Sequence, residues 1–223
     1  IATMLQVTRG NFSGPLQFAA DQLPPGITMH AVEMPSNIDR FPVVFEATPE
    51  AELASALVDV KVAHSDAKKN IRGQFGHAVE MVRGPGNRIF YRTDVDRLAV
   101  AVTEPAPFQI EIDTPPTAIL QRGSLNLKVR AIRDEGFDNA ITLRLPWKPP
   151  GVSSAGTISL PKGKNEIDYQ LTANSSASVG TWHLAVLGEA NTKTGPVIVS
   201  SALTELRVEQ PYVNIKIEMA AIE

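Results

Sequence analysis

The residues of this chain that are able to carry chemistry are few and scattered. Histidines at positions 30, 64, 77 and 183 show neither H-x-H nor H-E-x-x-H spacing, so no two imidazoles are aimed at one metal ion. His64 and His183 fall in strand-like stretches, and His183 follows Trp182, which is expected inside, so both read as surface or edge histidines. There is no cysteine, which removes thiolate nucleophiles, disulfides and Cys-type zinc sites. The run Gly151-Val152-Ser153-Ser154-Ala155-Gly156 fails the G-x-S-x-G pattern and follows a proline turn instead of a strand entering a helix. Carboxylates cluster at Asp134, Glu135 and Asp138, beside Asn139. Such oxygens suit calcium, but a calcium loop alternates its ligands more strictly, and a related loop from Arg9 to Gly14 has no carboxylate. Asp94 and Asp96 alternate beside Arg92 and Arg97 as a solvated strand face, not as an acid pair for glycoside hydrolysis. No catalytic residue, metal or cofactor is therefore expected.

Binding chemistry is better represented. Between Lys68 and Arg97 lie seven basic residues, Lys68, Lys69, Arg72, Arg83, Arg88, Arg92 and Arg97, against Glu80, Asp94 and Asp96. The local balance of +4 stands out in a chain of net charge −3, so this segment is the one able to attract an anionic partner. Phe90 and Tyr91 lie among the arginines, and Arg83, Arg88, Phe90, Tyr91 and Arg92 form the candidate contact set. Trp147, beside a proline turn and Lys148, is the better exposed of the two tryptophans, and Trp182 reads as core. With 6% aromatic residues, the platforms of a carbohydrate-binding module are sparse. The overall acidity disfavours nucleic acid, and no run of about eighteen apolar residues spans a bilayer.

These residues must be positioned by strands. Apolar side chains alternate at period two in Phe41, Val43, Phe45, in Phe108, Ile110, Ile112, in Leu125, Leu127, Val129 and in Ile141, Leu143, Leu145. Only Thr48 to Leu57, with Pro49 at its start, offers a short helical turn. The pattern is written twice. Phe12-Ser13-Gly14-Pro15-Leu16-Gln17-Phe18 and Pro24-Pro25-Gly26-Ile27 recur, at one constant offset, as Phe137-Asp138-Asn139-Ala140-Ile141-Thr142-Leu143 and Pro149-Pro150-Gly151-Val152. Flanking matches pair Leu5 with Leu127, Met34 with Leu160, Phe45 with Tyr169, and Val58, Val60 and Val62 with Trp182, Leu184 and Val186. In each Pro-Gly turn proline presets the first corner and glycine supplies the positive φ of the second. The fold expected is all-β, two tandem immunoglobulin-like sandwiches of roughly 100 residues each.

The divisions expected are residues 1–103, residues 104–208 after the Pro105-Ala106-Pro107 join, and a tail, 209–223, in which Val213, Ile215, Ile217 and Met219 read as the first strand of a further module. The first unit has no equivalent of Phe108 to Gln121, so it lacks a first strand. It also has an insertion, expected as a hairpin with arms Ala78 to Arg83 and Arg88 to Arg92 around Gly84-Pro85-Gly86-Asn87. Such an uncovered edge can be paired by the tail or by a neighbouring chain.

The Leu-Pro-Pro-Gly-Ile turn, with Asn11-Phe12-Ser13-Gly14-Pro15-Leu16 before it and Phe45-Glu46-Ala47-Thr48-Pro49-Glu50-Ala51 after it, resembles a known kind of module. The chain is similar to bacterial Ig-like repeats of large secreted and envelope proteins, including those beside pre-peptidase C-terminal domains and the NEW3-type modules of glycosidases. That resemblance implies a non-catalytic, extracytoplasmic role in spacing or presenting other domains of a parent protein, or in protein interaction, with an anionic protein or glycan as partner. The alternative it leaves open is an accessory carbohydrate- or substrate-binding module of a secreted hydrolase.

Overall fold

The computed structural model describes residues 1–213, so the alternating tail beyond Val213 lies outside the described residues. Regular structure is strand throughout, with two short 3-10 turns. In the first half the strands are β1 (Ala2–Gln6), β2 (Leu16–Asp21), β3 (Ile27–His30), β4 (Arg40–Ala47) and β5 (Ser55–His64). They are followed by β6 (Arg72–Gln74), β7 (His77–Arg83), β8 (Ile89–Val95) and β9 (Leu98–Ala101). The second half begins with β10 (Phe108–Ile112), β11 (Ile119–Leu120), β12 (Ser124–Arg133), β13 (Ile141–Arg144), β14 (Val152–Ser154) and β15 (Ile158–Leu160). It ends with β16 (Glu166–Ala173), β17 (Gly180–Leu184), β18 (Leu187–Thr192), β19 (Gly195–Ser200) and β20 (Thr204–Glu209).

Two tandem immunoglobulin-like β-sandwiches result. In the second half, the sheet β10-β12-β16-β14 faces a layer made of β15-β13-β18-β19 and β11-β20-β17. Leu127, Val129, Tyr169 and Leu171 from one layer meet Ile141, Leu143, Leu184 and Leu206 from the other in one buried cluster. Alternation explains it, since every second side chain of each strand points to the same face. The first half repeats the plan in reduced form, with β1-β4-β3 in one layer and β2-β5-β6 in the other, β9 pairing with the start of β5. Its buried centre is smaller, made of Leu16, Met34, Phe41, Val43 and Phe45. Leu16 bridges to Met34 where Ile141 pairs with Leu160, so the long-range repeat match holds in three dimensions.

Both Pro-Gly corners close as expected. Ile27 N–H donates to the Pro24 carbonyl at 3.1 Å with Gly26 at φ 79°, and Val152 N–H donates to Pro149 at 3.0 Å with Gly151 at φ 80°.

Three expectations need correction. The first-strand match is four residues out: Phe45 pairs with Ile1 as Tyr169 pairs with Leu127, so Ile1 takes the place of Leu127. The stretch from Thr48 is not helical. It makes a single turn, Ala51 N–H to the Thr48 carbonyl at 3.0 Å, and Ser55 already belongs to β5. On β4 the inward Phe41, Val43 and Phe45 are buried, but so is Val44 on the opposite face, because Ala2 and Val44 pack against Ala185, Leu187 and Leu203 of the second half.

Nothing among the described residues pairs with β1 in the place that β10 takes beside β12. The groove left there is lined by Met4 to Thr8, Phe18, Val60 to Val62 and Gly73 to His77. The added length of the first half lies between β6 and β9, where β19 runs to β20 in only a few residues.

Candidate functional site

That added length is the β7–β8 hairpin, a separate two-stranded sheet. Pro85 fixes the entry to a 3-10 turn, and Gly86 (φ 71°) and Asn87 (φ 56°) take the left-handed conformations that reverse the chain. Gly84 N–H donates to the Arg88 carbonyl at 2.9 Å and closes the loop. A Cβ on Gly84 would lie 1.8 Å from the Phe90 ring, so glycine is what lets that ring rest against the turn. The register shifts around Val82, between its pairing with Tyr91 and that of Arg83 with Ile89, which bends and twists the ribbon.

Almost nothing on the ribbon is buried. Met81 is 59% exposed, Val82 50%, Ile89 48%, Phe90 66% and Tyr91 60%. Arg83 forms an ion pair with Glu80 at 2.5 Å, whereas Arg88 and Arg92 make no ion pair among the described residues. The candidate residues Arg83, Arg88, Phe90, Tyr91 and Arg92 thus share one projecting element, which can offer cationic and apolar contacts together.

Trp147 lies elsewhere. It is half-buried, not an open platform, and packs 5.9 Å from Trp182 at an interplanar angle of 50°. Trp182 is core as expected, 5% exposed, with Nε1 donating to the Ser178 carbonyl at 2.9 Å. The pair looks onto a crevice shared with Val32, Glu33, Pro35, Ile38 and Phe41 of the first half, so Trp147 belongs to the junction between sandwiches.

The histidines divide. His64 is 6% exposed, not a surface residue: its Nδ1 accepts the Asp66 N–H at 2.9 Å, which makes Nε2 the donor to the Ser13 carbonyl at 3.1 Å. Gly14, at φ 120°, leaves room for that ring, since a Cβ there would sit 2.2 Å from Nε2. His183 is half-buried rather than turned out to solvent, and burial pushes its imidazole below the ordinary value while Glu205, its cross-strand partner, partly opposes the shift.

In the loop of Asp134, Glu135 and Asp138, Asp138 is held by Lys162 at 3.2 Å. The backbone oxygens are occupied as well, for Arg133 donates to the carbonyls of Asn139 at 2.7 Å and Lys164 at 3.0 Å. The loop is therefore organised around a guanidinium. No group of three metal-ligating side chains occurs among the described residues.

Sequence reading missed that arginine, and its counterpart. Arg133 sits 5.7 Å over the Phe137 ring, and Arg9 sits 5.7 Å over Phe12. Arg9 donates to Gly14 at 2.7 Å and Pro35 at 3.1 Å; Gly14 is the repeat counterpart of Asn139, and Pro35 follows Met34 in the loop that matches the one holding Lys164 after Leu160. The signal was present in the repeat, an arginine just ahead of each equivalent phenylalanine.

No family model and no curated protein matches the sequence. Among solved structures the chain is similar to the fibronectin(III)-like modules of Clostridium thermocellum CbhA, at 11% identity and a TM-score of 0.30, over 98% of this chain and 91% of that one. It is also similar to the D0-D1 domain of intimin, at 12% identity and a TM-score of 0.30, over 92% of this chain and 89% of that one. No helix among the described residues is long and apolar enough to cross a membrane.

Proposed function

We propose that this chain is a non-catalytic tandem of immunoglobulin-like modules from a bacterial extracytoplasmic protein, which spaces or presents other domains and contacts a partner through the β7–β8 ribbon. The observation that supports it is the contrast in packing. Elsewhere the exposed large apolar side chains, such as Leu53, Leu57, Ile132, Val179 and Ile198, stand singly or in pairs along the chain, whereas on this one inserted element five of them stand at least 48% exposed between Met81 and Tyr91, among Arg83, Arg88 and Arg92. A concentration of exposed apolar surface of this kind marks a contact site. The modular division proposed is 1–103, 104–208 and 209–223, with Pro105 and Pro107 stiffening the join.

The test compares the whole chain with a form in which residues 77–95 are replaced by a short turn, on glycan arrays and on immobilised anionic polysaccharides and proteins. The reading expects partner binding that vanishes with the ribbon. Binding that survives trimming but is lost in Trp147→Ala would move the site to the junction and favour the accessory carbohydrate-binding alternative.

A further inference from the structure

The far end of the ribbon differs from its base in chemistry. Residues 81–93 carry Arg83, Arg88 and Arg92 and no carboxylate, while Asp94 and Asp96 sit at the base and Glu80 is occupied by Arg83. The same outer stretch holds Met81, Val82, Ile89, Phe90 and Tyr91. Neighbouring side chains of a strand point to opposite faces, and the consecutive Ile89, Phe90 and Tyr91 are all about half exposed or more. Apolar surface is therefore presented on both faces of a two-stranded ribbon. A globular protein or a sugar chain docked on one face would leave the other wet. An interface that the end of the ribbon enters covers both at once.

We infer that the outer half of β7–β8 inserts into an anionic lipid surface, with Phe90, Tyr91, Met81 and Ile89 entering the headgroup boundary and Arg88 and Arg92 meeting lipid phosphates. The inference deepens the reading of this ribbon as the contact arm and rests on it. Aromatic rings with one polar edge suit a membrane boundary, and long arginine stems let the charge stay at phosphate level while the methylenes enter. The charge layout fits an anionic surface and no other kind of lipid surface. Since the chain's net charge is −3 and the segment from Lys68 to Arg97 carries +4, the remainder carries −7 and is repelled. With the outer half inserted, the four residues from His77 to Glu80, at about 3.3 Å each, leave roughly 13 Å between the lipid surface and the base of the ribbon, beyond a Debye length of about 8 Å at physiological salt. Repulsion of the body is thus screened where attraction of the tip is not.

The experiment uses the whole chain with vesicles of phosphatidylcholine containing one-quarter phosphatidylglycerol, and with pure phosphatidylcholine, read by co-sedimentation. The anionic vesicles are expected to carry the chain down and the neutral ones to leave it in solution. Arg88→Gln with Arg92→Gln should weaken binding about thirtyfold, from roughly fivefold per arginine at an anionic surface. Phe90→Ser with Tyr91→Ser should weaken it at least tenfold, and Lys162→Gln, on the second sandwich, should not change it. Near-UV circular dichroism identical to the parent's would show that the variants fold. In Phe90→Trp, the added indole should shift its emission to the blue and become quenched by brominated acyl chains with anionic vesicles only. Failure of the parent chain to sediment with anionic vesicles, or equal sedimentation of the ribbon variants, overturns the inference. Ribbon-dependent retention on immobilised polyglutamate without vesicle binding also overturns it, in favour of an acidic protein, and keeps the contact arm. Absence of any ribbon-dependent binding removes both.

Discussion

At the scale of single residues, the most instructive side chains are ones that look like surface charge in the sequence. Arg9 and Arg133 each lie over a phenylalanine and each hold two loop carbonyls, so one guanidinium fastens a connection between layers in each sandwich. Arg133→Ala should cost about 1–2 kcal/mol by urea denaturation, and Arg133→Lys should recover little, because an ammonium cannot fork onto two carbonyls and stack on a ring. Partial burial, the main effect, pulls the Arg133 pKa below the arginine value, with Asp138 acting against it. The Pro-Gly corners give a graded test. A Cβ on Gly151 would lie 2.5 Å from the Ala177 backbone, and one on Gly26 would lie 2.9 Å from the Ala51 side chain. Gly151→Ala should therefore destabilise by about 2–4 kcal/mol and Gly26→Ala by less, although both share the left-handed strain. His183 adds a pH dependence. Burial holds its folded pKa below the unfolded value, so its contribution is complete above the unfolded pKa, about 6.5, and is lost as pH falls from there through the folded pKa. Glu205 across the strand and Glu33 in the shared crevice are the carboxylates near it. His183→Gln should flatten the fall in urea midpoint between pH 7 and pH 5.

At the scale of elements, the β7–β8 ribbon is separable from the sandwich that carries it. Its residues from His77 to Val95 are exposed apart from a half-buried Val79 and Gly84, which the Phe90 ring partly covers, and they add nothing to the buried cluster of the first half. Replacing them with a turn as short as the one between β19 and β20 should change folding stability by less than about 1 kcal/mol. The amides of β7 and β8 should exchange with deuterium much faster than those of β4 and β5, since an isolated two-stranded sheet is only marginally stable. This element was legible in the sequence except at the end of its second arm, the expected arms being Ala78 to Arg83 and Arg88 to Arg92 and the observed ones His77–Arg83 and Ile89–Val95. Glycine and proline at the turn act locally, so local reading finds them. The helical turn expected after Thr48 failed because Ser55, Ala56 and Leu57, its last residues, belong to β5, whose pairing with β9 is long-range.

At the scale of the whole molecule, the halves share a plan but not a core size. Twenty-one residues form the buried cluster of the second sandwich and five that of the first, which also lacks a strand beside β1. Since apolar burial is the main favourable term, the first half should unfold at lower denaturant. Both tryptophans, Trp147 and Trp182, belong to the second half. Both face the crevice shared with the first half, so their emission reports both steps, and peptide-resolved hydrogen exchange is the measurement: β2, β4 and β5 should lose protection at a lower urea concentration than β12, β16 and β20, and coincident loss would contradict the prediction.

The amino-acid sequence by itself determined the strand period, the two copies, the paired Pro-Gly corners and the inserted hairpin with its arginines and aromatics. All of these depend on residues close in the chain or repeated at a constant offset. Tertiary structure alone decided that Val44 is buried on the outward face of β4, that Trp147 closes a crevice against the first half, and that His64 sits inside against Gly14. Those placements come from surfaces brought together by the packing of one sandwich on another, or of a loop over a sheet. Contacts of that kind have no period along the chain, and an exposed and a buried side chain can then share the same local pattern.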